Sequence, residues 1–327
     1  MGFQNSSNNP VQSNSEFDVF IQSGTCLGQT GIVTVQKEGS INIGDQSNNN
    51  SGRLFVTRGS TVVVENGGLI EVDKSSSLVV EDGGTLELLS GSSLLVKNGG
   101  TLKIRPGGTL IVHDGANINL TVFNSEIRLS GLLKANNIEL KGFGPLKIMD
   151  GYSLKTLGSN EMNFTGHGMS GTPSIILETT VLIDEFNVSF SNAMVKFLGD
   201  LRVENHDINV DECDWYQNVY GDGVTYYTSL QWQYDFHLKN GNINMQNSVL
   251  SEVKIEVEQS VESNFNNVES YTREKSYNFT FADCEDINFK KGCVIETRNR
   301  NFHIPEAIDK VGILADHVNT LRIFDTE

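Results

Sequence analysis

The stretch GGTLKIRPGGTLIVHDG, residues 99–115, repeats itself after eight residues and decides the fold. Its first part, GGTLKI, returns as GGTLIV from residue 107 onward. Two apolar residues separated by one residue are typical of a short strand that buries one face. The glycine pair before them is typical of a turn, because glycine adopts positive φ without a Cβ clash. Each group of eight residues therefore predicts one strand and one corner.

The same octad extends to both sides of this stretch. Eight consecutive octads begin at Gly59, and their fourth and sixth positions are always apolar. Strands this short cannot bury their apolar faces alone, so they must stack coil upon coil. The sequence thus predicts an all-β protein, a parallel β-helix or β-solenoid. The octads read GSTVVVEN, GGLIEVDK, SSSLVVED, GGTLELLS, GSSLLVKN, GGTLKIRP, GGTLIVHD and GANINLTV.

The fifth octad position, which points outward, alternates between apolar and polar residues, so the larger repeat has sixteen residues. A coil of two strands would then place the apolar members in one stripe along an outer face, about 4.8 Å apart. We predict such a coil and an interaction stripe made of Val63, Val79, Leu95 and Ile111. A triangular coil of three octads would scatter these four residues. Another part of the chain, a neighbouring domain or a second copy would cover the stripe.

The rest of the chain divides into segments by pattern. Residues 1–16 are polar and predicted to be disordered, and residues 17–58 are predicted to form an N-terminal cap and the first coils. Residues 59–122 are the regular octad solenoid. Residues 123–327 are predicted to continue as longer, looser coils, with an aromatic-rich insertion at 211–237. Asparagine recurs near strand ends in this half, where a side chain buried at a corner can hydrogen-bond between successive coils.

Charge and cysteine usage exclude several function classes. The chain has a net charge of −17, which repels nucleic acid and anionic lipid, and no apolar run reaches the roughly 18 residues of a membrane span. The N-terminus lacks the pattern of a signal peptide, so an exported natural protein would contain this chain as a fragment. The cysteines form no CxxC motif, so disulfides and buried free thiols remain as alternatives. They are Cys26, Cys213, Cys284 and Cys293.

The segment 211–237, DECDWYQNVYGDGVTYYTSLQWQYDFH, departs from the solenoid pattern. It contains both tryptophans and five of the eight tyrosines of the chain, with acidic residues among them. Aromatic faces stack on sugar rings and carboxylates accept hydroxyl hydrogen bonds, which predicts a glycan-binding platform; the alternative is a hydrophobic patch that plugs a groove. The predicted ligand-binding residues are Trp215, Tyr216, Asp222, Tyr226, Tyr227, Trp232, Tyr234 and Asp235.

Catalytic and metal motifs give little support to other functions. A glycosidase needs two carboxylates across the scissile bond, for which Asp211, Glu212 and Asp214 are candidates beside Asp222 and Asp235. A lyase needs a base and charge neutralisation of a uronate, but basic residues are scattered along the sequence. The histidines form no metal-binding motif, and we predict no cofactor. Calcium between acidic turns is an alternative that no motif supports, since Asp82, Asp114 and Asp150 are explained as turn formers.

A resemblance adds to this interpretation. The stretch GGTLKIRPGGTLIVHDGANI, followed by coils such as NINMQNSVLSEVKIEV and SNFNNVES, resembles the parallel β-helix regions of secreted and cell-surface proteins of the Bacteroidetes, which are commonly exported by the type IX system. The resemblance covers most of residues 31–300 and includes no catalytic motif. It implies a right-handed parallel β-helix in an extracellular setting and transfers no site residues.

Taken together, the sequence predicts a non-enzymatic extracellular β-helix module. It would act as an adhesin that binds a glycan or cell-surface polysaccharide, or as a spacer scaffold that self-associates or contacts a neighbouring domain. The alternative is a polysaccharide-degrading β-helix enzyme, a glycoside hydrolase or lyase, that uses segment 211–237. Neither nucleic acid nor membrane insertion is expected.

Overall fold

Parallel β-strands make up all of the regular secondary structure in the described part of the chain. The computed structural model describes residues 11–12, 19–21, 25–27, 31–44, 51–168, 171–217, 234–251, 253–272, 278–290, 292–297 and 313–323. Its 36 strands are numbered β1–β36 in chain order. They belong to two compact units, Met1–Ile175 and Ile176–Glu327, and β21 (Ile175–Leu177) spans the division.

The first unit is a three-sided solenoid in which every third strand pairs in parallel. Side 1 contains β1 (Val11–Gln12), β4 (Gly31–Val35), β7 (Ser60–Val64), β10 (Thr85–Leu88), β13 (Thr109–Val112), β16 (Leu132–Ala135) and β19 (Ser153–Lys155). Side 2 contains β2 (Val19–Ile21), β5 (Ser40–Ile43), β8 (Leu69–Val72), β11 (Ser93–Val96), β14 (Asn117–Leu120), β17 (Asn137–Gly142) and β20 (Glu161–Thr165). Side 3 contains β3 (Thr25–Leu27), β6 (Arg53–Val56), β9 (Ser77–Val80), β12 (Thr101–Ile104), β15 (Glu126–Leu129) and β18 (Leu146–Ile148).

The glycine pairs form the corners of this unit. Gly83 has φ of 70°, and the amide of Gly84 donates to the carbonyl of Glu81 at 2.9 Å, which is the geometry of a type II turn. The amide of Gly83 also donates to the carbonyl of Gly107 on the next coil at 2.9 Å. A Cβ on Gly84 would lie 2.2 Å from the carbonyl oxygen of Val56. The first glycine thus supplies the turn, and the second lets consecutive coils approach.

The prediction of a sixteen-residue coil is wrong. Thr85 pairs with Thr61 on one side and with Thr109 on the other, and side chains on these neighbouring coils are 24 residues apart. A coil therefore contains three octads, because each corner bends the chain through about a third of a turn and three corners close it. The buried fourth and sixth positions of all three octads fill one aliphatic interior, as predicted.

The predicted interaction stripe does not exist as one surface. Val63 and Ile111 lie on side 1 with Glu87 between them, Leu95 lies on side 2 against Glu71, and Val79 lies on side 3 against Lys103. Val79 is also buried, at 3% exposure. Outward apolar residues recur every sixteen residues, whereas one coil contains 24. Each of these apolar side chains therefore has a polar neighbour on an adjacent coil.

The second unit has three sides as well, with coils of variable length. Side 4 contains β22 (Val181–Ile183), β25 (Leu201–Glu204), β28 (Asp235–Lys239), β30 (Lys254–Glu258), β32 (Phe279–Ala282) and β35 (Ile313–Asp316). Side 5 contains β23 (Asn187–Ser191), β26 (Ile208–Asp211), the first halves of β29 (Ile243–Ser251) and β31 (Glu262–Thr272), β33 (Asp286–Phe289) and β36 (Thr320–Ile323). Side 6 contains β24 (Met194–Phe197), β27 (Asp214–Tyr216), the second halves of β29 and β31, and β34 (Val294–Thr297).

In this unit, asparagine residues with positive φ form several of the corners. Asn247 and Asn267 have φ of 48° and 53° and lie where β29 and β31 turn from side 5 to side 6. The Nδ2 of Asn267 donates to the Oδ1 of Asn247 at 3.1 Å, and Asn247 donates to Asp211 at 3.1 Å. Asparagine tolerates the left-handed conformation better than other residues with a Cβ. The predicted bonds between coils are thus present, but the prediction that the corner asparagines are buried is wrong, since Asn247 and Asn267 are exposed.

Candidate functional site: an amide-lined groove on side 5

Trp215 and Tyr216, two of the predicted glycan-binding residues, lie inside the second unit. They belong to strand β27, and Trp215 is fully buried while Tyr216 is 5% exposed. The indole ring of Trp215 contacts the rings of Phe197 and Phe236, each with a centroid separation of 5.4 Å. The prediction that they belong to a sugar platform is therefore wrong: the alternating strand pattern directs Trp215 into the aromatic interior, and Tyr216, at the neighbouring outward position, is buried as well.

The other residues of the predicted platform fall into two groups. Asp222, Tyr226, Tyr227 and Trp232 lie outside the described residues. Tyr234 is half-buried, and its carbonyl oxygen accepts a hydrogen bond from the Nε2 of Gln217. Asp235 begins strand β28, is half-buried, and has a pKa above its usual value, chiefly because of burial.

The described thiols are free. Cys213 and Cys284 are buried and Cys293 is half-buried, and none of the three forms a disulfide; the side chain of Cys26 lies outside the described part of the structure. Burial raises the pKa of Cys213 to about 12. Its thiol is therefore protonated at neutral pH and a poor nucleophile.

The outer surface of side 5 contains an amide column, defined as Asn209, Asn244, Asn264 and Asn288. The four residues occupy the same outward register position on consecutive coils. Each Nδ2 donates to the Oδ1 of the preceding residue, at 3.4 Å for Asn244, 3.1 Å for Asn264 and 3.3 Å for Asn288. The Nη1 of Arg322 donates to Asn288 at 3.1 Å and ends the column. All of these bonds run in one direction.

A second outward row runs beside the amide column on the same strands. Asp211, Gln246 and Asn266 follow each other in register. The two rows enclose a shallow groove of about 380 Å³ that Ser189 and Lys290 also line. Asn209, Asn244, Gln246 and Asn266 are exposed. The groove therefore presents amide donors and acceptors to solvent at the spacing of the coils, about 4.8 Å.

The sequence indicates asparagine near strand ends but does not predict this groove. Coil length in the second unit varies, since Asn209 pairs with Asn244 and Asn244 with Asn264, 35 and 20 residues apart. No fixed period connects these residues in the sequence. The available signal was the motif of an asparagine between two apolar residues, in INV, INM and INF.

A second groove of about 400 Å³ lies on side 4 and has a charged lining. His237 Nδ1 lies 2.8 Å from Glu256 Oε2, and its Nε2 lies 3.9 Å from Asp200 Oδ2. The bond to Glu256 is the main cause that raises the pKa of His237 and lowers that of Glu256. Asp200 also pairs with Arg202 at 3.0 Å. Asp235 does not belong to the lining of this groove.

The remaining acidic candidates have structural positions. Asp211 accepts the hydrogen bond of Asn247 and lines the amide groove. Glu212 occupies a corner with φ of 51°, and Asp214 begins strand β27. Within the described ranges, His, Cys, Asp and Glu residues nowhere cluster in threes in an arrangement that could hold a metal ion. The described residues also include no helix that could span a membrane.

The chain has structural likeness to solved proteins but no match in sequence. No protein-family model matches the chain, and no curated protein matches its sequence. A similar solved structure is the crystal structure of the TibC-catalyzed hyper-glycosylated TibA55-350 fragment, with 13% identity, 93% coverage of each chain and a TM-score of 0.33. At this TM-score the likeness supports no inference about activity or ligand. The fold of the chain is that of a parallel β-solenoid, as its own strand pairing shows.

Proposed function

We propose that this protein is a non-enzymatic extracellular β-solenoid module that binds a glycan along the amide-lined groove of side 5. The observation that carries the proposal is the amide column, whose residues align on four consecutive coils. Its members Asn209 and Asn244 are exposed and Asn264 is half-buried beside a second polar row, whereas Asn288 is buried at the end of the column. The solenoid holds these side chains in fixed register. Binding would then cost little conformational entropy in the protein.

The hydrogen-bonding capacity of the groove fits sugar hydroxyl groups. A primary amide has two N–H donors and an oxygen with two lone pairs, and the bond to each neighbour in the column uses one of each. The exposed Asn244 and Gln246 therefore retain donors and acceptors for a ligand. A hydroxyl group both donates and accepts, so an uncharged glycan matches the groove better than a purely accepting or purely donating ligand.

The groove runs across the strands, along the direction in which the coils stack. A ligand that follows it meets equivalent side chains at each coil, about every 4.8 Å. A linear polysaccharide has the same property of repeating one chemical unit along its length. We therefore propose a linear neutral glycan as the ligand, in a surface or secreted setting.

A glycan array with the full chain tests this proposal. The variant Asn209→Ala/Asn244→Ala removes two exposed amides of the groove while Asn264 retains a bond to Glu262. We expect binding of wild-type protein to a neutral linear glycan and at least about tenfold weaker binding of the variant, as two hydrogen bonds of ordinary strength are lost.

The control is the variant Asn137→Ala/Asn163→Ala, which removes a similar exposed amide pair, bonded at 2.8 Å, from the first unit. It should bind as the wild type does. Equal binding by the groove variant and the wild type would exclude the groove as the site. No binding of wild-type protein to any glycan would favour the spacer scaffold instead.

A second candidate function is a polysaccharide-degrading enzyme on side 4. The supporting observation is that Glu256 in the lining of this groove has a lowered pKa, while Asp235, which lies outside the lining but interacts electrostatically with Glu256, has a raised pKa, as in acid–base pairs. Release of reducing ends or unsaturated products from a polysaccharide panel tests it, with Glu256→Gln as the inactive variant. Activity that persists in this variant would contradict the assignment.

A further inference from the structure

Positive charge is concentrated in one part of this acidic chain. Residues 97–157 contain eight Lys or Arg and four Asp or Glu, whereas the remainder contains 16 Lys or Arg and 37 Asp or Glu. This stretch lies entirely within the first unit. The first unit therefore has a basic region that the net charge of −17 conceals.

On side 3 the basic residues form a cationic column, defined as Lys103, Arg128 and Lys147. They pair in register on three consecutive coils through β12, β15 and β18. Arg105 directly follows β12, and Arg53 begins β6 on the same side. The column is invisible in the sequence because its members are separated by whole coils.

Nearby carboxylates neutralise only part of this charge. Glu126 pairs with both Arg128 and, at 2.8 Å, Lys147, and Glu81 pairs with Arg105 at 2.8 Å. Among the described residues, Lys103 forms no ion pair with a carboxylate, although Glu126 is near enough to act on its charge. Burial, followed by the nearby Arg128, lowers the pKa of Lys103.

Like charges stacked directly across paired strands destabilise a sheet. Elsewhere in the first unit a basic residue can lie beside a carboxylate of a neighbouring coil, as Lys97 does with Glu71, and the like-charge stack on side 1, Lys134 with Lys155, has two members rather than three. An arrangement that breaks this rule is expected where a ligand supplies the missing charge. A partner with anionic groups spaced along a line would neutralise the column coil by coil.

We propose that side 3 of the first unit binds a linear anionic glycan, whose carboxylate or sulfate groups pair with the cationic column. Phe55 and Val79 extend the same register row beyond Lys103, and half-buried Phe55 offers an aromatic surface for a sugar ring. Duplex nucleic acid has about one charge per 1.7 Å along its axis, which does not match cations placed about 4.8 Å apart on consecutive coils. The proposed site is separate from the amide groove and does not depend on it.

Biolayer interferometry of polygalacturonate binding to the full chain tests the site. The variant Lys103→Gln/Arg128→Gln leaves Lys147 to pair with Glu126. It should raise Kd at least about tenfold, and wild-type binding should weaken between about 0.01 M and 0.15 M salt as the Debye length falls from about 30 Å to about 8 Å.

The matched control is Lys134→Gln/Lys155→Gln. These two lysines are stacked in register on side 1 of the same unit, so the variant changes net charge equally and should bind as the wild type does. Thermal unfolding of each variant verifies folding. Sulfated dextran distinguishes sulfate from carboxylate recognition, and binding of either polymer supports the site.

Three results would overturn the proposal: wild-type protein that binds neither polymer at low salt, equal Kd values for the two double variants, or tighter binding of a single-stranded oligonucleotide. The variant Asn209→Ala/Asn244→Ala should retain polygalacturonate binding. Failure of the amide groove on the glycan array therefore leaves this test unaffected, and the two proposals can fail separately.

Discussion

The two units reach the same three-sided solenoid with different residues. The first unit turns its corners with glycine pairs and fills its regular coils with Val, Ile and Leu. The second turns several corners with asparagine and fills its interior with aromatic rings, among them Trp215, Phe265 and Phe279. In the regular octad region, glycine corners accompany coils of constant length, as between Thr61, Thr85 and Thr109, whereas hydrogen-bonded asparagine corners accompany coils of unequal length. The stability of the first unit should therefore depend on the close approach of consecutive backbones at its glycine corners. The stability of the second unit should depend on the packing of large interior side chains.

The largest expected effect is on the aromatic interior. Trp215→Ala should lower the free energy of unfolding by roughly 3–5 kcal/mol, because it leaves a large cavity among Phe190, Phe197 and Phe236. Urea denaturation followed by circular dichroism measures it. A loss well below 1 kcal/mol would mean that Trp215 is exposed, and would restore the sugar-platform interpretation.

The close approach of consecutive coils in the first unit can be tested at a glycine corner. Gly84→Ala places a Cβ 2.2 Å from the carbonyl oxygen of Val56, and such overpacking should cost about 1–3 kcal/mol. Gly31→Ala is the control, because its Cβ meets no atom within 4 Å. Equal stability of the two variants in the same denaturation experiment would contradict the close approach of the coils.

The asparagine corners predict a smaller effect with a defined order. Asn247→Ala should be less stable than Asn247→Gly by about 1–2 kcal/mol. Both variants lose the same side-chain bonds, but only alanine has a Cβ that clashes in the left-handed conformation. Denaturation midpoints of the two variants measure the difference. An alanine variant as stable as the glycine variant would mean that positive φ is not required at this corner.

The smallest effect concerns pH. The pKa of His237 is raised in the folded state, so its contribution to stability is fully present below its unfolded value of 6.5 and is lost as pH rises through the folded value. The pKa of Glu256 is lowered, so its contribution to stability is present above 4.5 and is lost as pH falls through the folded value. The pair should therefore stabilise most between pH 4.5 and 6.5, by less than about 1 kcal/mol because both groups are partly exposed. Thermal midpoints across this range measure it.

In Glu256→Gln this pH dependence should disappear. Glu258→Gln is the control, because the partner of Glu258 is Lys239 at 3.3 Å, which does not titrate in this range. A pH profile that is unchanged in Glu256→Gln, or flattened equally in both variants, would show that the His237–Glu256 pair is not its source.

Much of the fold could be predicted from local pattern, whereas the sites could not. The octads identify each strand and corner of the regular region, since alternation and glycine pairs act over a few residues. The aromatic segment was interpreted as a projecting loop because Trp215 lies among polar residues, yet its strand position directs it inward. The cationic column and the amide column unite residues about 20 to 35 positions apart, and no local pattern connects them.

Local sequence pattern is enough to predict short parallel strands with tight corners and an apolar interior in this chain. It does not fix how many corners complete one coil, because that number depends on how the corner angles and the interior side chains close together in three dimensions. The strand pairing shows that three corners complete a coil. That number assigns every outward residue to a face, so it separates Val63 from Val79 and stacks Lys103 on Arg128. The surfaces proposed to bind ligands follow from it.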